Sequence, residues 1–515
     1  MEESYIRTRN SLKNSVVAFV LQVVAMLVGF FARRIFIHYL GVEVMGLNTT
    51  ASSILDFLNL AELGIGTAVA VTLYKPLFER DEQTICEIVS LQGRLYRIIG
   101  ILVLSASVVV FCFMPQIFHK STLPLWYAYA TYAVLLYSSL LWYFFNYKKN
   151  VLFADQKNYK VLLCSRLVAL VKLILQALAV LYLENGYIWW LGLEVVASTV
   201  STILIAVIVN RTYPFLRQRV RADLSLREKY PGVIRKTQYI AFHKLGGYAV
   251  ARSSPIFIYA YTSLSVVGYY GNYLILTANL TAILTALYSG VSAGVGNMVA
   301  EGDKSLILRV FRELFSSRML IVGVCCICLW FLTDPFVSLW LGSEYVLGHT
   351  TLALLIAQFF VSNTRNIVDD YLNAYGLFRD IWSPLTEAAI NVALSVWLGS
   401  RYGLNGVLAG VLVSQLIITF SWKPFFLFRS ALEEPLSFYI SLYARCFLPG
   451  VVAFLVTWLI LPLVPVNPTA SLWAFLLYAL VVGLVALGVY TGGLFLAEDS
   501  LKGFIRRIFR AVSLG

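Results

Sequence analysis

Five polar residues, Asn48, Ser52, Asp56, Asn59 and Glu62, recur at intervals of four, four, three and three in an otherwise apolar stretch. On a helix that spacing puts all five on one face. A second stripe, Gln358, Ser362, Arg365, Asp369 and Asn373, has the same periodicity, and a third carries Lys244, Tyr248, Arg252 and Tyr259. Arg33 and Arg34 (after Ser15 and Gln22) lie in a further apolar run, and Arg166, Lys172 and Gln176 in another. An ionisable side chain costs at least about 2.5–3.5 kcal/mol at the centre of a membrane helix, so it faces a cavity or a partner. The third stripe is basic only and the first acidic only. That division points to a cavity with a basic region for an anion and an acidic stripe for a cation or proton. Arginine suits a phosphate best, through paired N–H donors. The candidate substrate-binding residues are Arg33, Arg34, Arg166, Lys172, Lys244, Arg252 and Arg365; the candidate ion-coupling residues are Asp56, Glu62 and Asp369. Two plainer explanations exist. Arg365 and Asp369 are spaced to pair on one helix face, and Arg33 or Arg34 can snorkel to the interface.

The other reactive residues point to no catalysis. His38, His119, His243 and His349 are scattered near helix ends, and none forms a pair at metal-ligand spacing. Cys325, Cys326 and Cys328 sit inside an apolar run with no His or acid nearby in sequence, where thiols pack as small hydrophobes. No catalytic residue, metal or cofactor is expected. The sequence contains no phosphate-binding GxxxxGK[ST] loop, so a nucleotide-driven pump with its motor on this chain is not expected.

Composition dictates the elements that hold these stripes. Of 515 residues, 59% are hydrophobic and 13% charged, with a mean hydropathy of +0.78. A soluble domain carries roughly 25% charged residues, so most of this surface must face lipid. A bilayer core of about 30 Å takes about 20 apolar residues per helix. Runs of that kind fall at 14–39, 47–74, 97–118, 124–146, 160–183, 187–210, 237–262, 266–297, 317–341, 350–376, 382–399, 404–427, 445–465 and 470–495. The expected fold is therefore an all-α polytopic membrane protein with about 14 transmembrane helices. The first run lacks a small-residue cleavage site, so it reads as an uncleaved span. Lys and Arg concentrate in alternate connecting segments, while the intervening loops hold only Lys120 and Arg401. Under the positive-inside rule both termini are then cytoplasmic. The net charge of +13 becomes a topology signal and a contact with anionic phospholipids rather than with nucleic acid.

The longest inward segment, 211–236, holds Pro214, Pro231 and eight basic residues midway through the first twelve spans. It divides the chain into an N-lobe (1–210), a basic cytoplasmic linker (211–236), a C-lobe (237–428) and an appended helix pair with a basic tail (429–515). The halves echo one another. Phe36 and Gly46 are spaced nearly as Phe257 and Gly268 are. Gly64/Gly66 resembles Gly294/Gly296, and Glu184-Asn185-Gly186 resembles Tyr402-Gly403-Leu404-Asn405-Gly406. Two six-helix lobes in a parallel repeat would enclose a central cavity.

The stretch ARRIFIHYLGVEVMGLNTT…LAELGIGTAVAVTLYKP, through Pro76, resembles the opening of the polysaccharide-transporter (Wzx-type) flippases. These form a branch of the multidrug/oligosaccharidyl-lipid/polysaccharide (MOP) exporter superfamily. ADQKNYK at 154–160 and NAYGLFRD at 373–380 resemble that family's paired inward loops. The resemblance implies a V of two lobes opening alternately to each side of a bacterial cytoplasmic membrane. It implies undecaprenyl-pyrophosphate-linked oligosaccharide as substrate, with Arg33 or Arg34 and Arg252 in the positions of the cavity cations. It also implies coupling to a H+ or Na+ gradient or to membrane potential, and onward partners such as a glycan polymerase and assembly proteins. A peptidoglycan-precursor flippase and an ion-coupled multidrug exporter remain alternatives within the superfamily. A membrane glycan polymerase is disfavoured by the short external loops.

Overall fold

The computed structural model describes residues 23–62, 64–155, 157–217, 229–230, 252–288, 291–377, 380 and 382–503. Lys244, Tyr248, His243, Ser15, Gln22 and most of the 211–236 linker lie outside the described residues. Among the described residues there are helices and turns and no strand. The first set is α1 (Val23–Leu40), α2 (Val42–Leu58), α3 (Ile65–Glu79), α4 (Glu82–Ile117), α5 (Leu125–Phe144), α6 (Lys149–Ala154), α7 (Tyr159–Tyr182), α8 (Gly186–Thr212) and α9 (252–261). There follow α10 (Leu264–Leu287), α11 (Val291–Glu301), α12 (Lys304–Trp340), α13 (His349–Thr364), α14 (Asn366–Ala374), α15 (Trp382–Leu432), α16 (Leu436–Ile460) and α17 (Leu472–Ala497). The chain divides into two compact units, Met1–Gly268 and Tyr269–Gly515.

Eight described helices are long and apolar enough to cross a bilayer, or nine if the bent pair Leu125–Phe144 and Asn146–Ala154 counts as one. The difference from fourteen has specific causes. Three expected spans, 47–74, 266–297 and 350–376, are each two helices in series: α2–α3, α10–α11 and α13–α14. The spans at 382–399 and 404–427 run on as α15, kinked where Gly403 leaves helical geometry. Most of the seventh span, 237–262, is outside the described residues.

The structure makes the repeat explicit. A Cβ at Gly46 would collide with the carbonyl oxygen of Leu264, and a Cβ at Gly268 would lie 2.5 Å from that of Val42. Each glycine thus meets the residue four positions before the other. The shift of 222 from Gly46 to Gly268 also carries Asp81 onto Asp303. Both aspartates follow a residue with positive φ, Arg80 at 57° and Gly302 at 80°. Each then caps a long helix, accepting from Thr84 N in one case and from Ser305 N and Leu306 N in the other. Those helices, α4 and α12, run 36 and 37 residues, with Pro115 and Pro335 close to their ends. Asn185 and Gly403 both have φ 56°, at the equivalent turns before α8 and within α15. The expected match of Gly64/Gly66 with Gly294/Gly296 is off register, because the shift places Ala286 and Tyr288 there.

Packing fixes the appended pair to the second unit. Tyr490 of α17 lies against Gly323 of α12 and Gly450 of α16, and its hydroxyl donates to Cys446 O at 3.0 Å. Phe311, Phe315, Tyr371, Phe428 and Tyr439 form the aromatic core beneath it. Leu472, Trp473, Leu476, Leu480, Leu484 and Leu487 are exposed along α17. So continuous an apolar face is stable only against lipid. The cysteines on α12 are packing residues: Cys325 and Cys326 lie against Leu284, Val322, Leu329 and Phe359.

Candidate functional site

In the first unit, Arg252 of α9 reaches Asp56 of α2, Nη1 to Oδ2 at 3.3 Å. The sequence leaves the basic and acidic stripes without partners, and the fold supplies one across 196 positions. Their side chains remain 50% and 28% exposed, so the pair is accessible rather than sealed. Arg33 is half-buried on α1, its Nη2 donating to Gly268 O at 3.4 Å, while Arg34 is exposed. Gly268 packs at Val42, fourteen residues before Asp56 along α2. At 1.5 Å per residue that is about 21 Å, so Arg33 and Arg252 do not form a single cluster.

Arg166 and Lys172 belong elsewhere, on α7. Lys172 Nζ is 2.8 Å from Glu194 Oε1 of α8, and Gln176 Nε2 donates to Glu194 Oε2 at 3.2 Å and to Trp190 O at 2.9 Å. This closed set stitches the α7–α8 hairpin together. Arg166 is exposed on the same helix and makes no ion pair among the described residues.

The second unit resolves the Arg365 stripe. Arg365 Nε is 2.6 Å from Asp369 Oδ2, and its Nη1 donates to Thr419 Oγ1 at 2.7 Å. Thr419 in turn donates to Glu387 Oε1 at 2.9 Å. Arg365, Asp369, Thr419 and buried Glu387 therefore form one chain joining α13–α14 to α15. Gln358 and Ser362 on the same face also bond to α15, at Leu408 O and Gln415.

A third arrangement surrounds Glu62. Residues Asn59–Glu62 form one tight turn between α2 and α3. Tyr96 of α4 donates to Glu62 Oε1 at 2.9 Å. Asn59 bonds Ser139 at 3.3 Å and Tyr143 at 2.8 Å, both on α5. Lys149 of α6 lies 3.2 Å above the Trp142 ring and faces Glu62. Sequence reasoning missed Tyr96, which lies between Arg94 and Arg97, just outside the expected span 97–118. Lys149 is hidden among the basic residues of an inward segment. Arg318, at the start of the run 317–341, was also not singled out: it is 2% exposed on α12, its Nε donating to Asn363 O at 2.6 Å and its guanidinium 4.6 Å from the Tyr288 ring. No group of three or more His, Cys, Asp or Glu able to hold a metal ion occurs among the described residues.

No family model and no curated protein matches the sequence. Solved structures do match the fold. An inward-facing multidrug resistance MATE family transporter of the MOP superfamily superposes with a TM-score of 0.61 at 13% identity, covering 81% of this chain and 99% of its own. The lipid II flippase MurJ, in an inward closed conformation, gives 0.59 at 12% identity, covering 92% of this chain and 98% of its own. A MATE multidrug transporter, DinF-BH, gives 0.58 at 15% identity over 82% of this chain and 95% of its own. The chain is a multi-pass membrane protein with the fold of MOP superfamily transporters.

Proposed function

We propose that this protein is a flippase moving undecaprenyl-pyrophosphate-linked oligosaccharide units from the inner to the outer leaflet of a bacterial cytoplasmic membrane. The observation that carries the reading is the extent of the fold match. The lipid-flippase structure aligns over 92% of the chain and the multidrug transporters over 81% and 82%. The additional share is about the size of the α16–α17 pair.

Arg252 supplies the anion chemistry. Its half-exposed guanidinium already holds one carboxylate, and a pyrophosphate offers the same paired oxygens with more charge. Headgroup binding then exchanges Asp56 for phosphate, and Asp56 is released to meet a cation. Lobes 1–210 and 237–428, joined by the 211–236 linker, carry the headgroup across by alternate opening, with Lys244 as a further contact and an arginine of α1, about 21 Å away along α2, meeting it at a separate stage of the passage. The glycan occupies the polar cavity and the lipid tail stays in the bilayer. Both termini lie in the cytoplasm, where the basic segments meet anionic phospholipid. A H+ or Na+ gradient or the membrane potential drives the cycle, and a glycan polymerase takes the product.

Deleting the protein in its host should make lipid-linked oligosaccharide accumulate on the inner leaflet, with loss of surface polysaccharide. Wild type should restore export, and Arg252→Ala, though inserted in the membrane, should not. Full rescue by Arg252→Ala would remove the headgroup role. Absence of accumulation, with altered sensitivity to small cationic compounds, would favour the multidrug exporter, whose fold likeness is equally good.

A further inference from the structure

The sequence keeps lysine and arginine out of the expected external loops, with Lys120 and Arg401 as the exceptions. Arg401 lies over the ring of Trp397, four residues before it, at 5.2 Å. Lys120 reaches much further: its Nζ donates to Ala260 O at 2.6 Å, across 140 positions. The acceptor lies in the last turn of α9, where carbonyls lack an N–H from their own helix. Of two carbonyls there, Ile258 O is taken by Thr262 N at 2.8 Å and Ala260 O by the lysine. A cation in that place also meets the negative end of the helix dipole.

Further contacts fasten the same loop. Phe118, just after α4, stacks on Tyr259 of α9 with ring centroids 5.5 Å apart, and both rings are buried. The Tyr259 hydroxyl faces the Lys120 backbone. On the other side Glu43, in the first turn of α2, accepts from Thr122 N at 2.8 Å, from Ser121 Oγ at 3.2 Å and from the Thr122 hydroxyl. Residues 118–122 thus bridge two helix ends, the start of α2 and the finish of α9. Lys120 and Thr122 are exposed, so water can replace their partners at a small net cost. The contacts also cross the boundary drawn by the sequence. α9 opens the expected C-lobe, 237–428, yet the compact unit that holds 1–210 extends to Gly268 and includes α9. The fastening is one-sided as well. The 222-residue shift carries Lys120 onto Gly342 and returns Ala260 to His38, so the second half has no lysine for the reciprocal bond. Its loop is held within its own unit, Leu347 N donating to the Tyr273 hydroxyl at 2.8 Å.

We infer that residues 118–122 are a releasable strap, on the expected outer side of the membrane, that holds the end of α9 against residues 1–210 and lets go when this end opens. Lys120 supplies the fastening, Phe118 and Tyr259 the apolar seat, and Glu43 the anchor to α2. Arg252 lies eight residues back along α9 from Ala260, about 12 Å. The strap therefore sits on the outward side of the Arg252–Asp56 pair. The strap stands on these contacts alone; its part in transport rests on the flippase reading.

Two measurements keep the two apart. Spin labels at Leu125→Cys and Tyr261→Cys, with exposed Cys112 replaced by Ser, report the separation of α5 and α9 by pulsed electron–electron resonance. Lys120→Met should raise the population of a longer distance by about fivefold, less than a buried charged hydrogen bond would give because Lys120 is exposed. Lys120→Arg should keep the wild-type distribution. A wild-type distribution in Lys120→Met overturns the strap. In proteoliposomes, Lys120→Cys with Ala260→Cys, joined by a short bismaleimide, should lose translocation of undecaprenyl-pyrophosphate-linked oligosaccharide that the unjoined variant retains. Equal translocation by joined and unjoined protein overturns the role in transport. If wild type translocates nothing while the distances respond to Lys120→Met, the flippase reading fails and the strap stands.

Discussion

Replacing Arg365 by Met separates a structural network from a substrate site. Arg365 neutralises Asp369 directly and reaches Glu387 through Thr419. Its loss leaves two carboxylates facing each other, one of them, Glu387, only 5% exposed. Breaking a buried pair by removing one partner costs about 3–5 kcal/mol. The Arg365 and Asp369 side chains are 31% and 28% exposed, which places this case at the low end, about 3 kcal/mol. That is roughly a 150-fold change in an equilibrium constant at 1.4 kcal/mol per tenfold. Thermal unfolding in detergent should show it clearly. Adding Asp369→Asn and Glu387→Gln to Arg365→Met should recover most of the loss, because no uncompensated charge then remains. The three changes must be non-additive, since they share one network. If Arg365→Met melts like wild type yet abolishes translocation, the network argument is wrong and Arg365 is a substrate contact.

Alanine at Gly46 or Gly268 should destabilise the protein. The obstruction at each is a backbone carbonyl, so about 1–3 kcal/mol of overpacking exceeds the roughly 1 kcal/mol that alanine gains over glycine in a helix. Gly294→Ala, where a Cβ meets nothing within 4 Å, is the control and should not lower the melting temperature; equal effects at all three positions would refute the crossing. Glu87 accepts from Lys229 Nζ at 2.7 Å and from the Tyr230 hydroxyl at 2.6 Å, tying residues 229–230 of the expected linker to the start of α4. Glu87→Gln should make trypsin cut at Lys229 several-fold faster in the folded protein; an unchanged cleavage rate would show that this contact does not restrain the linker.

Membrane character and the internal repeat were legible because they are written in long apolar runs and in glycine spacing. Gly46 and Gly268 are visible in sequence, and the fold places them in reciprocal contact. The helix breaks were less legible, since a run such as 47–74 stays apolar through the turn at Asn59–Glu62. Partners were least legible of all. The polar stripes set Arg252 aside for an anion and Asp56 for a cation or proton, and nothing local reveals that the two pair with each other. Lys172 was read as a cavity cation because its acid, Glu194, lies on the next helix. Arg365 and Asp369, spaced i to i+4 on one helix face, were the exception.

The 222-residue shift gives the two halves different chemistry at one crossing. Where the first unit has Glu62 and Tyr96, the second has Leu284 and Arg318. In both units the long helix, α4 or α12, meets the broken helix that precedes it. In the second unit Arg318 donates to Asn363 O near the C-terminal end of α13 and stacks over Tyr288. A cation there complements the helix dipole, and arginine keeps its charge throughout the physiological range. The shift also carries Asn59 onto Thr281; Asn59 bonds Ser139 and Thr281 bonds Asn363, which lies two residues beyond Val361, the position equivalent to Ser139. The framework is thus shared, and the ionisable group differs. One half holds its crossing with a buried guanidinium on a backbone carbonyl, the other with a carboxylate that accepts a tyrosine hydroxyl.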